Sequence, residues 1–123
     1  MKRVSPLRLL AFTLVALPAI AGLWAFAATA APGKGDPAAG KKIYATKCVA
    51  CHKADGSGGI KLTGNPAPSW KDKKRMATVT DAQLRDCIVN GKVKSGMVAW
   101  GKTGQLKPAE IDHLIAYIRV LAK

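Results

Sequence analysis

The segment Cys48-Val49-Ala50-Cys51-His52 constrains this chain more than any other feature of its sequence. Two thiols three positions apart lie on the same side of a helical turn, so both can add to the vinyl groups of one porphyrin. The imidazole of His52 follows directly and can bind the iron of that porphyrin from one face. The spacing is the attachment pattern of covalently bound haem c. We therefore predict one haem held by Cys48 and Cys51, with His52 as an iron ligand.

Three other uses of a Cys-x-x-Cys pair fit this sequence less well. A thioredoxin-like redox pair needs a βαβ setting, which the surrounding pattern does not provide. A zinc site needs four ligands, and Cys87 and His113 do not form a second closely spaced pair. A plain disulfide is the third alternative. The histidine directly after the second thiol, together with an export-type leader, favours haem attachment.

Residues 1–31 are predicted to form a hydrophobic N-terminal leader. Three basic residues occur among the first eight, and no charged residue occurs from Leu9 to Gly33. Ala28-Thr29-Ala30 offers the small-x-small pattern of a signal cleavage site. We therefore predict a signal peptide that is cleaved after export.

The uncharged run is also long enough to span a bilayer, so a retained membrane anchor over residues 9–31 is the alternative. The basic end stays on the inner side in both cases, which predicts a periplasmic domain. A short linker is expected at residues 32–35, followed by one domain at residues 36–123.

Local signals predict three main helices. Asp36-Pro37 combines an N-cap with a first-turn proline and begins a helix that runs to the cysteine motif. Thr80 and Gln83 form a capping box at the start of the second helix, and Asn90-Gly91 ends it. Pro108 opens the last helix. This helix carries an apolar stripe at Ile111, Leu114, Ile115, Ile118 and Ala122.

Single residues on these helices carry further expectations. Gly40 would let another helix pass very close, with Tyr117 pressing on it. Lys107 is a poor cap, so the start of the last helix is expected to fray. His113 is expected to project away from the apolar stripe into solvent, and Cys87 is expected to be a small buried hydrophobic residue.

Met97 is the predicted second iron ligand. It lies in a glycine-bounded loop that can reach across from His52, and its thioether is a soft ligand. A core methionine that fills a gap is the alternative, and Met76 and His113 are the rival ligands. If Met97 does not bind the iron, the open haem face would bind NO, CO or peroxide.

A proline-rich segment, Gly64 to Trp70, is predicted to lie along the haem edge. Proline cannot donate a hydrogen bond and holds its neighbour extended. A carbonyl near Pro66 or Pro68 can therefore accept from the far ring nitrogen of His52 and fix its tautomer; an ordinary surface loop is the alternative. The predicted cofactor-binding set is Cys48, Cys51, His52, Met97, Pro66, Pro68, Trp70 and Trp100.

The chain is strongly basic, with 20 Lys and Arg against 7 Asp and Glu and a formal net charge of +13. Such a charge suits nucleic acid, an anionic membrane or an acidic protein surface. No groove-reading motif or aromatic stacking series supports nucleic acid. We predict acidic protein partners, and the alternative is that the lysines only maintain solubility. Several of the lysines that surround the haem segments in sequence are expected to ring the exposed haem edge; these lysines are Lys47, Lys53, Lys92, Lys94 and Lys102.

Over about residues 36–123 the chain resembles a class I c-type cytochrome. The resemblance rests on Gly40…Tyr44, Cys48-x-x-Cys51-His52, Gly96-Met97…Trp100 and the helix from Pro108 with Tyr117. It implies an all-α, cytochrome c-like fold of three to four helices wrapped around one covalent haem. Its terminal helices would cross at Gly40 and Tyr117. Val98 stands where family members usually carry proline.

The resemblance also implies a function. Such a protein is an electron carrier rather than an enzyme, and its iron cycles between ferrous and ferric while His52 and Met97 stay bound. The implied partners are respiratory proteins: a dehydrogenase, an oxidase or a cytochrome bc1-type donor. A bound subunit of a dehydrogenase or oxidase complex is the variant of this expectation.

Overall fold

The computed structural model describes residues 34–123, so the predicted leader and residues 32–33 of the linker lie outside it. This part of the chain is helical and has no strand, which confirms the predicted all-α class. The helices are α1 (Pro37–Lys47), α2 (Val49–His52), α3 (Lys73–Thr78), α4 (Asp81–Asn90) and α5 (Pro108–Leu121), with a 3-10 turn at Val93–Ser95. Among these residues, no helix is both long and apolar enough to cross a membrane.

The start of α1 follows the predicted signals. The Asp36 carboxylate accepts a hydrogen bond from the Ala38 N–H at 2.8 Å, and Pro37 occupies the first turn. Both features satisfy or remove amide donors that a helix start would otherwise leave unpaired. The helix continues to Lys47 and meets α2 at Cys48, so the cysteine motif extends directly from α1.

The predicted capping box of α4 is present. The Thr80 N–H donates to Gln83 Oε1 at 2.9 Å, and the Gln83 N–H donates to Thr80 Oγ1 at 3.2 Å. Gly91 ends the helix with φ 67°, a conformation that favours glycine. At α5 the Lys107 side chain makes no capping hydrogen bond, as expected, but the Glu110 carboxylate accepts the Lys107 N–H at 2.7 Å.

The core forms where α1 packs against α5, and α4 also contacts α5. A Cβ at Gly40 would overlap the His113 carbonyl oxygen and lie 2.9 Å from Tyr117 Cβ, which confirms the expected close approach. The rings of Tyr44 and Tyr117 meet edge to face, 5.3 Å between centroids. The buried core residues are Tyr44, Trp70, Met76, Leu84, Ile88, Leu106, Ile111, Leu114, Ile115 and Ile118.

The prediction that His113 is solvated was wrong. Its ring is half-buried, and its Nδ1 accepts the Asp36 N–H at 2.8 Å. The side chain therefore connects the first turn of α1 to α5. It could not have been recognised from the spacing of α5 alone, because its partner is the backbone of a residue 77 positions away.

Helix α3 was not predicted, because Lys73, Lys74 and Arg75 show no apolar periodicity. It begins at Asp72, whose carboxylate accepts the Arg75 N–H at 3.0 Å, and it buries Met76. The guanidinium of Arg119 on α5 donates to the Met76 and Val79 carbonyls, which holds the α3–α4 junction against α5.

Candidate cofactor-binding site

A single cavity of about 1130 Å³ contains the predicted site. Residues from the end of α1, α2, the proline-rich segment, α4, the Met97 loop and α5 line it. All eight predicted cofactor-binding residues are among them: Cys48, Cys51, His52, Pro66, Pro68, Trp70, Met97 and Trp100. The volume exceeds that of common small-ligand pockets, so the cavity suits a group as large as a porphyrin.

Cys48 and Cys51 lie on one helical turn. The Cys51 and His52 N–H groups both point to the Cys48 carbonyl, at 3.2 and 2.9 Å. The chain's three cysteines are all free thiols in the structure. Burial raises the pKa of the Cys48 thiol to about 12, whereas reactive redox cysteines have a lowered pKa. Among residues 34–123 no strand flanks the motif, so the βαβ setting of a thioredoxin-like pair is absent from this part of the chain.

His52 is held on the same wall with its imidazole buried. The side chain is 7% exposed, and its Nδ1 lies 3.4 Å from the Pro68 carbonyl oxygen. Of the two prolines considered, Pro68 therefore faces the ring. Burial lowers the pKa of His52, which favours the neutral imidazole. A neutral ring with Nδ1 at a carbonyl leaves Nε2 available for iron.

Trp70 packs against one face of the His52 imidazole. Its ring stacks on the His52 ring with 4.8 Å between centroids and 18° between planes. The indole Nε1 is buried and has no hydrogen-bond partner among residues 34–123. Trp70 therefore fixes the orientation of the His52 ring. A buried donor without a partner on a cavity wall is also a group that a bound cofactor can satisfy.

Tyr44 is a site residue that the sequence analysis named only as part of the family resemblance. Its hydroxyl donates to the Lys53 carbonyl at 2.9 Å and lies 3.3 Å from the His52 carbonyl. Lys53 has φ 59°, a left-handed conformation that is uncommon for a residue with a side chain. Burial raises the pKa of Tyr44, so the hydroxyl stays a neutral donor. Tyr44 thus holds the chain in place where it leaves the motif.

Met97 lies on the wall contributed by the loop after α4. The Lys92 N–H donates to the Met97 carbonyl at 3.0 Å, and the Met97 N–H donates to the Lys92 carbonyl at 3.2 Å. Gly91 lies beneath this loop, where a Cβ would come within 2.6 Å of the Met97 carbonyl oxygen. The backbone of Met97 is therefore fixed at both the carbonyl and the amide.

The structure separates Met97 from its rivals. Met76 is buried in the core and is not among the cavity-lining residues. His113 is bound to the backbone of Asp36 at the far end of α1. Of the three candidate second ligands, Met97 alone lines the cavity. Two thiols, a neutral imidazole and a soft thioether around one large cavity form a donor set that fits a covalently attached haem.

Two side chains differ from their expected positions. Cys87 was expected to be buried in the core, but it is half-buried and lines the cavity. Lys47 was one of the lysines considered for the exposed haem edge, but it is half-buried with its Nζ 4.9 Å from the centroid of the Trp100 ring. Both depend on how α1, α4 and the Met97 loop meet, which local sequence patterns do not specify.

Comparison with known proteins agrees with this geometry. Residues 35–118 match the family described as cytochrome C oxidase, cbb3-type, subunit III. The cbb3-type cytochrome c oxidase subunit FixP of Bradyrhizobium sp. (strain ORS 278) is 38% identical over 89 residues, which are 70% of this chain and 28% of FixP. The chain thus spans less than a third of the length of that relative.

Two further proteins match over most of their own length. Cytochrome c of Chlamydomonas reinhardtii is 31% identical over 99 residues, covering 69% of this chain and 88% of that protein. The solved structure of the KustC0563 c-type cytochrome superposes with a TM-score of 0.56 at 25% identity, covering 68% of this chain and 98% of that one. The chain therefore belongs to the cytochrome c family, and its domain is of the type described as subunit III of cbb3-type cytochrome c oxidase.

Proposed function

We propose that this chain is an exported, periplasmic electron carrier with one haem c. Cys48 and Cys51 hold the haem covalently, and His52 and Met97 bind its iron from opposite faces. The observation that carries this proposal is the shared cavity, which has both thiols and the imidazole on one wall and the thioether on the Met97 loop. The matched family and the similarity to cytochrome c of Chlamydomonas reinhardtii support it.

The haem iron supplies the one-electron chemistry, and this chain supplies a fixed environment for it. Pro68 and Trp70 orient the His52 ring, while Tyr44 holds the backbone just after it. The paired backbone groups of Lys92 and Met97 fix the loop on the other wall. Ligands held this firmly move little when an electron arrives or leaves, which favours fast transfer.

The partner we propose is a respiratory redox protein with an acidic docking surface. Lys53, Lys92, Lys94 and Lys102 are exposed and belong to the segments that border the cavity. The FixP relative is named as a subunit of a cbb3-type oxidase, which supports an oxidase as one partner. A dehydrogenase or a cytochrome bc1-type donor would complete the electron path. A chain bound within such a complex is the variant of this proposal.

Optical spectroscopy of the purified holoprotein tests the axial ligands. We expect a six-coordinate, low-spin haem whose ferrous spectrum does not change with CO. Met97→Ala should leave one coordination position of the iron free, because the alanine side chain cannot bind a metal. We expect this variant to be high-spin and to bind CO. Met76→Leu is the matched control, since Met76 does not line the cavity, and it should keep the wild-type spectrum.

The opposite outcome has a definite meaning. A wild-type protein that is high-spin and binds CO would contradict ligation by Met97. It would instead support the second function predicted from the sequence, a haem protein that binds NO, CO or peroxide at an open face.

A further inference from the structure

Lys47 connects the two walls of the cavity. It is the last residue of α1 and directly precedes Cys48. Its Nζ lies 4.9 Å from the centroid of the Trp100 ring, and Trp100 follows Met97 by three residues. Lys47 is half-buried and forms no ion pair with any carboxylate in residues 34–123. The Lys47 ammonium therefore contacts the face of the Trp100 ring and no acidic side chain in the described part of the chain.

Trp100 itself is firmly anchored on the side that leads to α5. Its carbonyl accepts the N–H groups of Gln105 at 3.0 Å and Leu106 at 3.1 Å. The next turn is tied to α4, because the Lys102 N–H donates to the Val89 carbonyl at 3.0 Å. These bonds anchor the backbone of Trp100, while its side chain is contacted by the Lys47 ammonium.

The segment between Met97 and Trp100 is too short to move independently of either end. Only Val98 and Ala99 separate them, so a displacement of the Trp100 backbone is transmitted to the backbone of Met97. Val98 is 40% exposed and contributes little buried surface to hold the segment. A contact that fixes Trp100 to the end of α1 therefore also fixes Met97 relative to Cys48.

We propose that Lys47 is a positioning residue for the Met97 ligand. Its ammonium on the Trp100 ring ties the Met97 segment to the wall that carries Cys48 and keeps the thioether at the iron. This inference rests on the proposed ligation of iron by Met97. A cation over an indole, partly removed from water, is attracted by the negative face of the ring. Lys47 was considered for the docking surface, and this proposal gives it a role in positioning a ligand within the domain.

Displacement of Met97 by added imidazole measures this effect in the ferric holoprotein. Lys47→Gln removes the charge and keeps the first two of the four side-chain methylene groups. We expect its apparent affinity for imidazole to rise by about two- to thirty-fold, the factor that corresponds to a partly desolvated cation–π contact. Lys47→Arg, which restores a cation able to stack on the ring, should return the affinity to the wild-type value.

Two further variants distinguish a specific contact from a general change of charge. Lys42→Gln removes the same charge from an exposed position of α1 and should leave imidazole affinity unchanged. In a Trp100→Leu background, Lys47→Gln should have no further effect, because the aromatic partner is already gone. Equal effects of Lys47→Gln and Lys42→Gln would overturn the proposal, as would an undiminished effect of Lys47→Gln in the Trp100→Leu background.

The wild-type spectrum separates failure of this inference from failure of the proposed function. A sulfur-to-iron charge-transfer absorption in ferric wild type shows that Met97 binds the iron, and the Lys47 series then decides the positioning role alone. If wild type lacks that absorption, the ligation by Met97 is wrong, and the role of Lys47 is overturned with it.

Discussion

Gly40 of α1 and His113 of α5 are in backbone contact, so closely that a Cβ at position 40 would overlap the His113 carbonyl oxygen. The same Cβ would lie 2.9 Å from Tyr117 Cβ. This contact sets how α1 lies on α5. Because α1 continues directly into the cysteine motif, it also sets where Cys48 enters the cavity wall.

Gly40→Ala should therefore destabilise the fold strongly. The added methyl group meets main-chain atoms, which cannot rotate away, so α1 and α5 must separate. We expect a loss of about 3 kcal/mol in the free energy of unfolding, measured by denaturant titration of the holoprotein. Gly104→Ala is the matched control: its surroundings are open, and strain at φ 71° should cost about 1 kcal/mol. Equal losses for the two variants would contradict the close helix contact.

Tyr44→Phe should show the contribution of the hydroxyl that holds the end of the motif. Removing it leaves the part-buried Lys53 carbonyl without its donor at 2.9 Å. We expect the free energy of unfolding to fall by about 1–2 kcal/mol. Tyr117→Phe should change it by less than about 0.5 kcal/mol, because the Tyr117 hydroxyl makes no hydrogen bond within the described residues. A larger loss for Tyr117→Phe than for Tyr44→Phe would contradict this assignment.

Arg119→Lys should be more costly than Arg85→Lys, although both keep the positive charge. Arg119 uses its planar fork to bind the Val79 carbonyl at 2.5 Å and the Asp81 carboxylate at 2.8 Å, and lysine cannot reproduce that geometry. We expect a loss of about 1.5–3 kcal/mol for Arg119→Lys. Arg85 makes a single ion pair, with Asp112, and no hydrogen bond to a main-chain carbonyl within residues 34–123. A lysine can keep such a pair, so Arg85→Lys should lose no more than about 1 kcal/mol. Thermal unfolding measures both losses. If Arg119→Lys lost no more stability than Arg85→Lys, the importance of the guanidinium fork would be contradicted.

Electron transfer to an acidic redox partner should slow as ionic strength rises. The screening length falls from about 30 Å at 0.01 M salt to about 8 Å at 0.15 M, which weakens steering between the partners. Lys92→Gln and Lys94→Gln should reduce both the rate at low salt and its salt dependence. Lys41→Gln, an exposed α1 variant outside the cavity lining, should change them less. Stopped-flow rates that do not depend on salt would contradict the proposed acidic docking surface.

Much of this fold could be predicted because its signals are local. Asp36 and Pro37 cap α1, Thr80 and Gln83 form a box at α4, and Pro108 opens α5. Each of these acts within one helical turn of its position, so the sequence alone identifies it. The cysteine motif is local in the same way, since its three functional groups occupy five consecutive residues.

The features of the fold that were not predicted from the sequence depend on contacts between distant segments. Helix α3 carries a single buried residue, Met76, and its one local signal is the Asp72 cap. The hydrogen bond from Asp36 to His113 joins residues at opposite ends of the domain. The sequence does not distinguish Lys47 from nearby lysines; its contact with Trp100 depends on how α1 packs against the Met97 loop. No pattern of spacing within one helix contains this information.

Covalent attachment of haem is the central claim, and intact mass spectrometry of the denatured protein tests it most directly. The chain should be produced in a host that exports it and attaches haem, and then unfolded before measurement. We predict a mass equal to the processed polypeptide plus one haem, with Cys48→Ala/Cys51→Ala yielding the polypeptide alone. A folded wild-type protein that carries no haem mass after unfolding would contradict the account.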